Sequence, residues 1–175
     1  MKRKIMAIAL AAAVLSCDSP KATSVVKVDN QRMSASYTTE QQFTEIERTK
    51  YKCEWLGCEL TKEEYELLCT LVFCESGNQN TETQYMVALT VLNRMNSKLF
   101  PNSVSEVIYA PYAYEVTTWS DFENYGYTEQ AEQAVKMALL ENRYSDEMYY
   151  FRTKYFHRFG VPYLKSGDLY FSTEN

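Results

Sequence analysis

A single histidine, His157, is all that this chain of 175 residues contains, and several signatures of common chemistries are missing altogether. There is no glycine-rich phosphate loop, no Gly-x-Ser-x-Gly elbow and no His-Glu-x-x-His pair, so the phosphate-binding, serine-hydrolase and zinc-protease mechanisms those patterns serve have no support. An excess of basic residues is lacking too. Lys and Arg total 18 against 23 Asp and Glu, a formal net charge of -5 with a pI of about 5.0. This balance does not resemble the Lys/Arg-rich surface that tracks a phosphate backbone, and nucleic acid is not expected as a partner. No internal repeat is present. With 46% apolar and 23% charged residues, the chain can bury one ordinary core, so one domain is expected.

At the N-terminus, Lys2, Arg3 and Lys4 precede the apolar run Ile5 to Leu15, which is the order of a secretory signal peptide. The run is too short to span a bilayer as a stable helix. Val14-Leu15-Ser16-Cys17 looks like the lipobox of bacterial lipoproteins, in which the cysteine becomes the lipidated first residue, although Leu15 is bulkier than that pattern usually carries. The other reading is an ordinary signal peptide with Cys17 incidental. Both export the protein, either secreted or anchored as a lipoprotein facing the cell wall or periplasm. Residues 1–17 are therefore expected to be a signal peptide, and residues 18–45, rich in Ser, Thr, Lys, Gln and Asn, a disordered tether. Residues 46–175 form the expected domain.

Apart from Cys17, four cysteines remain, Cys53, Cys58, Cys69 and Cys74. In an exported chain an even number allows three disulfide connectivities. On one helix, Cys69 and Cys74 would be about 7.5 Å apart along the axis, beyond a disulfide's usual span. Cys53 with Cys58, or either of them with a helical cysteine, is easier. Thiolates alone at these spacings are not a zinc-finger pattern, so neither a metal nor another cofactor is expected. A Cys74–His157 nucleophile and base has no local support.

The first helix is predicted from Thr61, where Thr61-Lys62-Glu63-Glu64 forms a capping box, with Leu67, Leu68, Leu71 and Val72 running towards a stop at Gly77. A second capping box, Thr81 to Gln84, opens a segment from Met86 to Met95 that is apolar on nearly every face, which predicts a buried central helix. A short helix is expected from Ser103 to Tyr109. Another, capped by Thr128, places Ala131, Ala134, Val135, Ala138 and Leu139 on one face. From Met148 to Ser172 the chain is dense in Tyr and Phe and broken by Gly160, Pro162 and Gly167, predicting short strands and loops. The fold class is α+β, mainly helical.

One carboxylate is out of place. Glu63, Glu64 and Glu66 occupy the opening turns of the first helix, where the macrodipole favours them, but Glu75 stands at the far end. Counting back three, four and seven positions reaches Val72, Leu71 and Leu68, so Glu75 shares the apolar face. Desolvation and the negative helix terminus both raise its pKa, which prepares a general acid for work near neutral pH. The alternative is a carboxylate that reaches solvent past Gly77 and does nothing.

Cys74-Glu75-Ser76-Gly77, Gln84 and Val91-Leu92-Asn93-Arg94 together resemble the SleB-type, spore cortex-lytic family of bacterial cell wall hydrolases. The likeness continues through Phe100-Pro101-Asn102-Ser103-Val104, Val107-Ile108-Tyr109, Pro111, Tyr114, Trp119, Tyr150-Phe151, Phe159-Gly160, Gly167-Asp168 and Tyr170-Phe171. It covers about Leu67 to Ser172. The resemblance implies a lysozyme-like fold with a central buried helix and a small strand- and loop-rich C-terminal part. It also implies cleavage of peptidoglycan between N-acetylmuramic acid and N-acetylglucosamine, with Glu75 as the catalytic acid. Glu75-Ser76 is similar to the Glu-Ser pair of lytic transglycosylases more broadly.

Three positions depart from the family pattern: Cys74 where Gly is usual, Gln79 where a second Glu is usual, and Leu169 where His is frequent. Cys74 fits a local disulfide or a tolerated small side chain. Gln79 removes a carboxylate close to Glu75, and Leu169 weakens the comparison at the C-terminal end of the cleft. A two-carboxylate hydrolase would have to draw its partner from Glu82, Glu115 or Asp121. Lytic transglycosylation needs no second carboxylate, since the C6 hydroxyl of the muramic acid attacks after Glu75 protonates the leaving oxygen, and it is the favoured expectation. A hydrolytic muramidase and a non-catalytic peptidoglycan-binding lipoprotein are the alternatives. Tyr114, Trp119, Tyr150 and Phe151 are candidates to stack on sugar faces, against core packing as the other reading. Gln84 and Ser76 complete the candidate substrate contacts, Gln84 having the capping box as its competing role. The expected partners are glycan strands and, through Cys17, a membrane. The protein is expected to act as a monomer.

Overall fold

The computed structural model describes residues 51–174. The expected signal peptide, the lipidation of Cys17 and the tether lie outside these residues. Among the described residues, no helix is long and apolar enough to cross a membrane.

Helix α1 spans Lys62–Ser76, and its capping box is formed as predicted: the Thr61 hydroxyl accepts from the Glu64 amide at 3.1 Å while the Glu64 carboxylate accepts from the Thr61 amide at 3.1 Å. It stops at Gly77, but not through a left-handed turn. Gly77 keeps right-handed angles (φ -60°, ψ -20°), and a Cβ there would sit 2.5 Å from the Phe73 carbonyl oxygen. The position needs glycine for close approach rather than for its positive-φ freedom.

Helix α2, Thr81–Asn96, is buried without interruption from Thr83 to Arg94, as an all-round apolar pattern requires. Its cap differs from the prediction. Asn80, extended at φ -71°, ψ 163°, accepts from the Thr83 amide at 2.9 Å, so Thr81 begins the helix instead of capping it. The short Asn carboxamide reaches the open amides of the first turn and takes the site one residue earlier. Helix α3, Val104–Tyr109, is capped by Ser103, and helix α4, Glu129–Leu140, by Thr128. Between these two run two short 3-10 turns, Glu115–Thr118 and Phe122–Asn124.

The aromatic C-terminal segment forms the expected strands. Strands β3 (Met148–Thr153), β4 (Val161–Ser166) and β5 (Leu169–Thr173) make an antiparallel sheet with β5 in the centre. The row Phe151–Phe171–Leu164 packs toward the core, and the next row, Arg152–Tyr170–Lys165, lies on the opposite face. A small hairpin was not expected: β1 (Lys52–Cys53) pairs with β2 (Cys58–Glu59). Cys53 and Cys58 face each other in its register. Cys53, Cys58 and Cys74 are free thiols, so no disulfide joins these three in this structure.

Asn93 and Arg94 dock the sheet on α2. The buried Asn93 side chain donates to the carbonyls of Ser145 (3.0 Å) and Met148 (3.1 Å) and accepts from Asn142 (3.1 Å). Arg94 Nε donates to the Tyr149 carbonyl at 2.8 Å. These bonds hold β3 beside the end of α1.

Candidate active site

Helix α1 carries Glu75 to its penultimate position, where the helix meets the sheet. The carboxylate opens onto a pocket of about 310 Å³ whose other walls include Arg94, Tyr114, Glu115, Phe151, Arg152 and Leu169. Burial pushes the Glu75 carboxyl up to about 7, the negative charge of Glu115 pushes in the same direction, and the Arg94 guanidinium opposes both. A group with that pKa is protonated in a substantial fraction of molecules near neutral pH and can both give and take a proton.

The pocket selects among the second carboxylates that the sequence left open. Glu115 shares it with Glu75. Glu82 accepts from the Tyr144 hydroxyl at 2.6 Å and pairs with Arg143 at 3.3 Å, so its oxygens are committed on the α2–β3 side. Asp121 lines a different pocket, with Trp119 and Asn124.

The aromatic candidates divide in the same way. Phe151 lines the Glu75 pocket and also an adjoining groove of about 360 Å³. Tyr150 lines the groove, where its ring stacks on His157 at 5.3 Å between centroids. Tyr114 is 6% exposed, and its ring is one wall of the pocket, 5.1 Å from the Arg94 guanidinium. Trp119 is exposed, but its ring packs at a tilt against Tyr125 and lines the Asp121 pocket, which does not include Glu75.

Ser76 and Gln84 are fully buried and do not line the pocket. The Ser76 hydroxyl donates to the Val72 carbonyl at 2.8 Å. The Gln84 amide donates to the carbonyls of Ser76 (3.2 Å) and Gln79 (3.1 Å). Both therefore shape the chain just after Glu75: Ser76 bonds back along α1, and Gln84 projects from the part of α2 that is buried without interruption. Gln84 does not complete a capping box either, since the cap is Asn80.

Gln79, at one of the three departures, latches the sheet to the same loop: its carbonyl oxygen accepts from the Asp168 amide at 2.9 Å and its amide donates to the Asp168 carboxylate at 3.1 Å. Leu169, at another, is a buried wall of the Glu75 pocket. Cys74 is a half-buried thiol whose pKa is raised by burial and by the Glu75 charge, the reverse of what an activated nucleophile needs. His157, its hypothetical partner, lies in the groove with its pKa lowered by burial and by the charges of Arg152, Arg158 and Arg94.

Sequence reasoning assigned no role to Arg94 and Arg152, the two cations of the pocket. A signal for Arg94 was present: it is a charge at the end of a helix otherwise closed in apolar side chains, and such a charge is retained there only with partners. It is 8% exposed and sits against the rings of Tyr114, Phe100 and Tyr150 at 5.1, 5.4 and 5.9 Å.

The model of the Cell Wall Hydrolase family matches residues 78–171. This chain belongs to the cell wall hydrolase family. The match begins just after Glu75 and takes in every other wall of the pocket. The spore cortex-lytic enzyme of Bacillus subtilis (strain 168) is 38% identical over 93 residues, covering 52% of this chain and 30% of that protein. The spore cortex-lytic enzyme of Oceanobacillus iheyensis is 39% identical over 54 residues, 31% of this chain and 20% of that one. The chain thus spans less than a third of the length of these curated relatives. Among solved structures, the catalytic domain of the Bacillus cereus SleB protein superposes with a TM-score of 0.56 at 26% identity, over 65% of this chain and 92% of that one. The catalytic domain of the germination-specific lytic transglycosylase SleB from Bacillus anthracis gives a TM-score of 0.56 at 24% identity, over 65% and 96%. The family's SleB-type, lysozyme-like fold is therefore the fold of this chain.

Proposed function

We propose that this protein cleaves the glycosidic bond between N-acetylmuramic acid and N-acetylglucosamine in peptidoglycan outside the cytoplasm, as a lytic transglycosylase with Glu75 as general acid and then base. The observation that carries this reading is the Glu75 carboxylic acid, with a pKa of about 7, opening onto a pocket walled by Tyr114 and Phe151. Protonated Glu75 gives its proton to the glycosidic oxygen as the C1–O bond breaks. The carboxylate then takes the proton of the muramic acid's C6 hydroxyl, whose oxygen bonds to C1 and closes a 1,6-anhydro ring. No water is consumed, and Glu75 ends protonated as it began. The aromatic walls suit the apolar faces of sugar rings. Membership of the cell wall hydrolase family and the name of the Bacillus anthracis relative both favour this chemistry.

A second reading has its own observation. Glu115 lines the same pocket, so a hydrolase could use it to activate water or to attack C1. One experiment separates the two. Incubation of the purified protein with peptidoglycan sacculi, followed by mass spectrometry of the released fragments, should yield anhydro-muramic ends that are lost with Glu75→Gln. Reducing ends would establish hydrolysis instead, and bound but uncut glycan would leave only a binding protein.

A further inference from the structure

Between Glu147 and Asp168 the chain carries four cations, Arg152, Lys154, Arg158 and Lys165, and no carboxylate, in a protein of net charge -5. The segment comprises β3 and β4, the outer strands on either side of β5, and the loop that joins them. Elsewhere Lys52, Lys62, Lys136 and Arg143 are paired with carboxylates, but among the described residues none of the four cations of this segment has an ion-pair partner. Three rest on rings instead: Arg152 lies 3.9 Å from the centroid of Tyr155, Arg158 4.6 Å from that of Phe159 and Lys165 5.1 Å from that of Tyr170. Arg152 and Lys165 flank Tyr170 in register on one sheet face.

This basic, aromatic surface is continuous with the candidate site. Arg152 and Thr153 line the Glu75 pocket, while His157 and Phe159 line the adjoining groove. Lys154, Arg158 and Lys165 are exposed around them. An acidic protein repels an anionic polymer overall, so a locally basic face beside the site steers such a polymer in and sets its orientation.

We propose that the β3–loop–β4 segment recognises carboxylates on the muramyl side arms of the glycan, so that the preferred substrate is carboxylate-bearing peptidoglycan rather than neutral glycan. The proposal rests on the glycan-cleaving reading of the Glu75 pocket. Rings on this surface can stack on sugar faces while the cations beside them meet the side arms. Two sources offer the same chemistry, the lactyl carboxylate of a peptide-free muramic acid and the carboxylates of a stem peptide.

The test is binding of the full-length Glu75→Gln protein to sacculi that are native, carboxyl-amidated with a carbodiimide and a neutral amine, or stripped of stem peptides by an amidase. Amidation should weaken binding roughly tenfold, the combined effect of a few exposed charge pairs. Adding Lys154→Gln, Arg158→Gln and Lys165→Gln should weaken binding to native sacculi by a similar factor and make it insensitive to amidation. Thermal unfolding checks that this variant is folded. Binding retained on peptide-stripped sacculi assigns the lactyl carboxylate, and binding lost on them assigns the stem peptide. Equal affinity for native and amidated sacculi overturns the proposal, as does release only when wall-attached phosphate polymers are removed. The unsubstituted protein is assayed separately for cleavage. Charge-dependent binding without cleavage sinks the glycosidase reading alone, and cleavage indifferent to amidation sinks the carboxylate-recognition proposal alone.

Discussion

Glu75 and Glu115 line one pocket, and the charge on Glu115 strengthens the hold of Glu75 on its proton. Glu75 works as an acid only while protonated, so turnover should fall as pH rises through about 7. Glu115→Gln removes a raising influence, lowers the pKa of Glu75 and moves this decline to lower pH. Turbidity loss of sacculi measured from pH 5 to pH 9 reads the shift. In the hydrolytic reading, Glu115→Gln instead abolishes turnover at every pH, so the same measurement separates a neighbour from a reactant.

Glu75 also bears on stability. Its carboxyl is raised from 4.5 to about 7 by folding, so the folded state holds the proton more tightly than the unfolded chain. The stability this provides is full below pH 4.5 and is lost as pH climbs to about 7. Gln at this position does not titrate. Glu75→Gln should therefore match the parent near pH 4 and exceed it at pH 8 by up to about 3 kcal/mol, read from urea unfolding. A gain in stability with a loss of activity is the expected sign of a carboxylate kept for function.

The Gln79–Asp168 latch depends on an amide. Its oxygen accepts from the Asp168 backbone and its nitrogen donates to the Asp168 carboxylate, so Gln79→Glu sets two carboxylates against each other. The cost should be about 1 kcal/mol near neutral pH, since the site is exposed and screened. It should diminish near pH 4 and be relieved by adding Asp168→Asn. Chemical denaturation of the single and double variants tests this.

Asn93→Ala removes the donor shared by the Ser145 and Met148 carbonyls and the acceptor for Asn142. Leaving buried groups without partners should cost about 2–4 kcal/mol. Because these bonds dock β3, the strand that carries Phe151 and Arg152 into the pocket, cleavage should fall even at temperatures where the variant remains folded. Calorimetry and sacculus assays on one preparation distinguish the two effects.

Local patterns in the sequence determined the helices, the burial of α2 and the place of Glu75, because caps and apolar periodicity act within a few turns of one element. Thr61, Ser103 and Thr128 cap as their short-range context dictates. Competition between neighbouring cap residues was not legible, and Asn80 displaced Thr81. The environment of Glu75 was decided by tertiary structure. Only packing of the sheet against α1 and α2 chose Glu115 over Glu82 and Asp121, brought Arg94, Arg152 and Leu169 into the pocket, sent Trp119 elsewhere and enclosed Ser76 and Gln84. Those outcomes depend on contacts between residues far apart in the chain, which caps and apolar periodicity do not specify. The sequence could place an acid at the wrong end of a helix, and the fold supplied the burial and the second charge that bring its pKa to about 7.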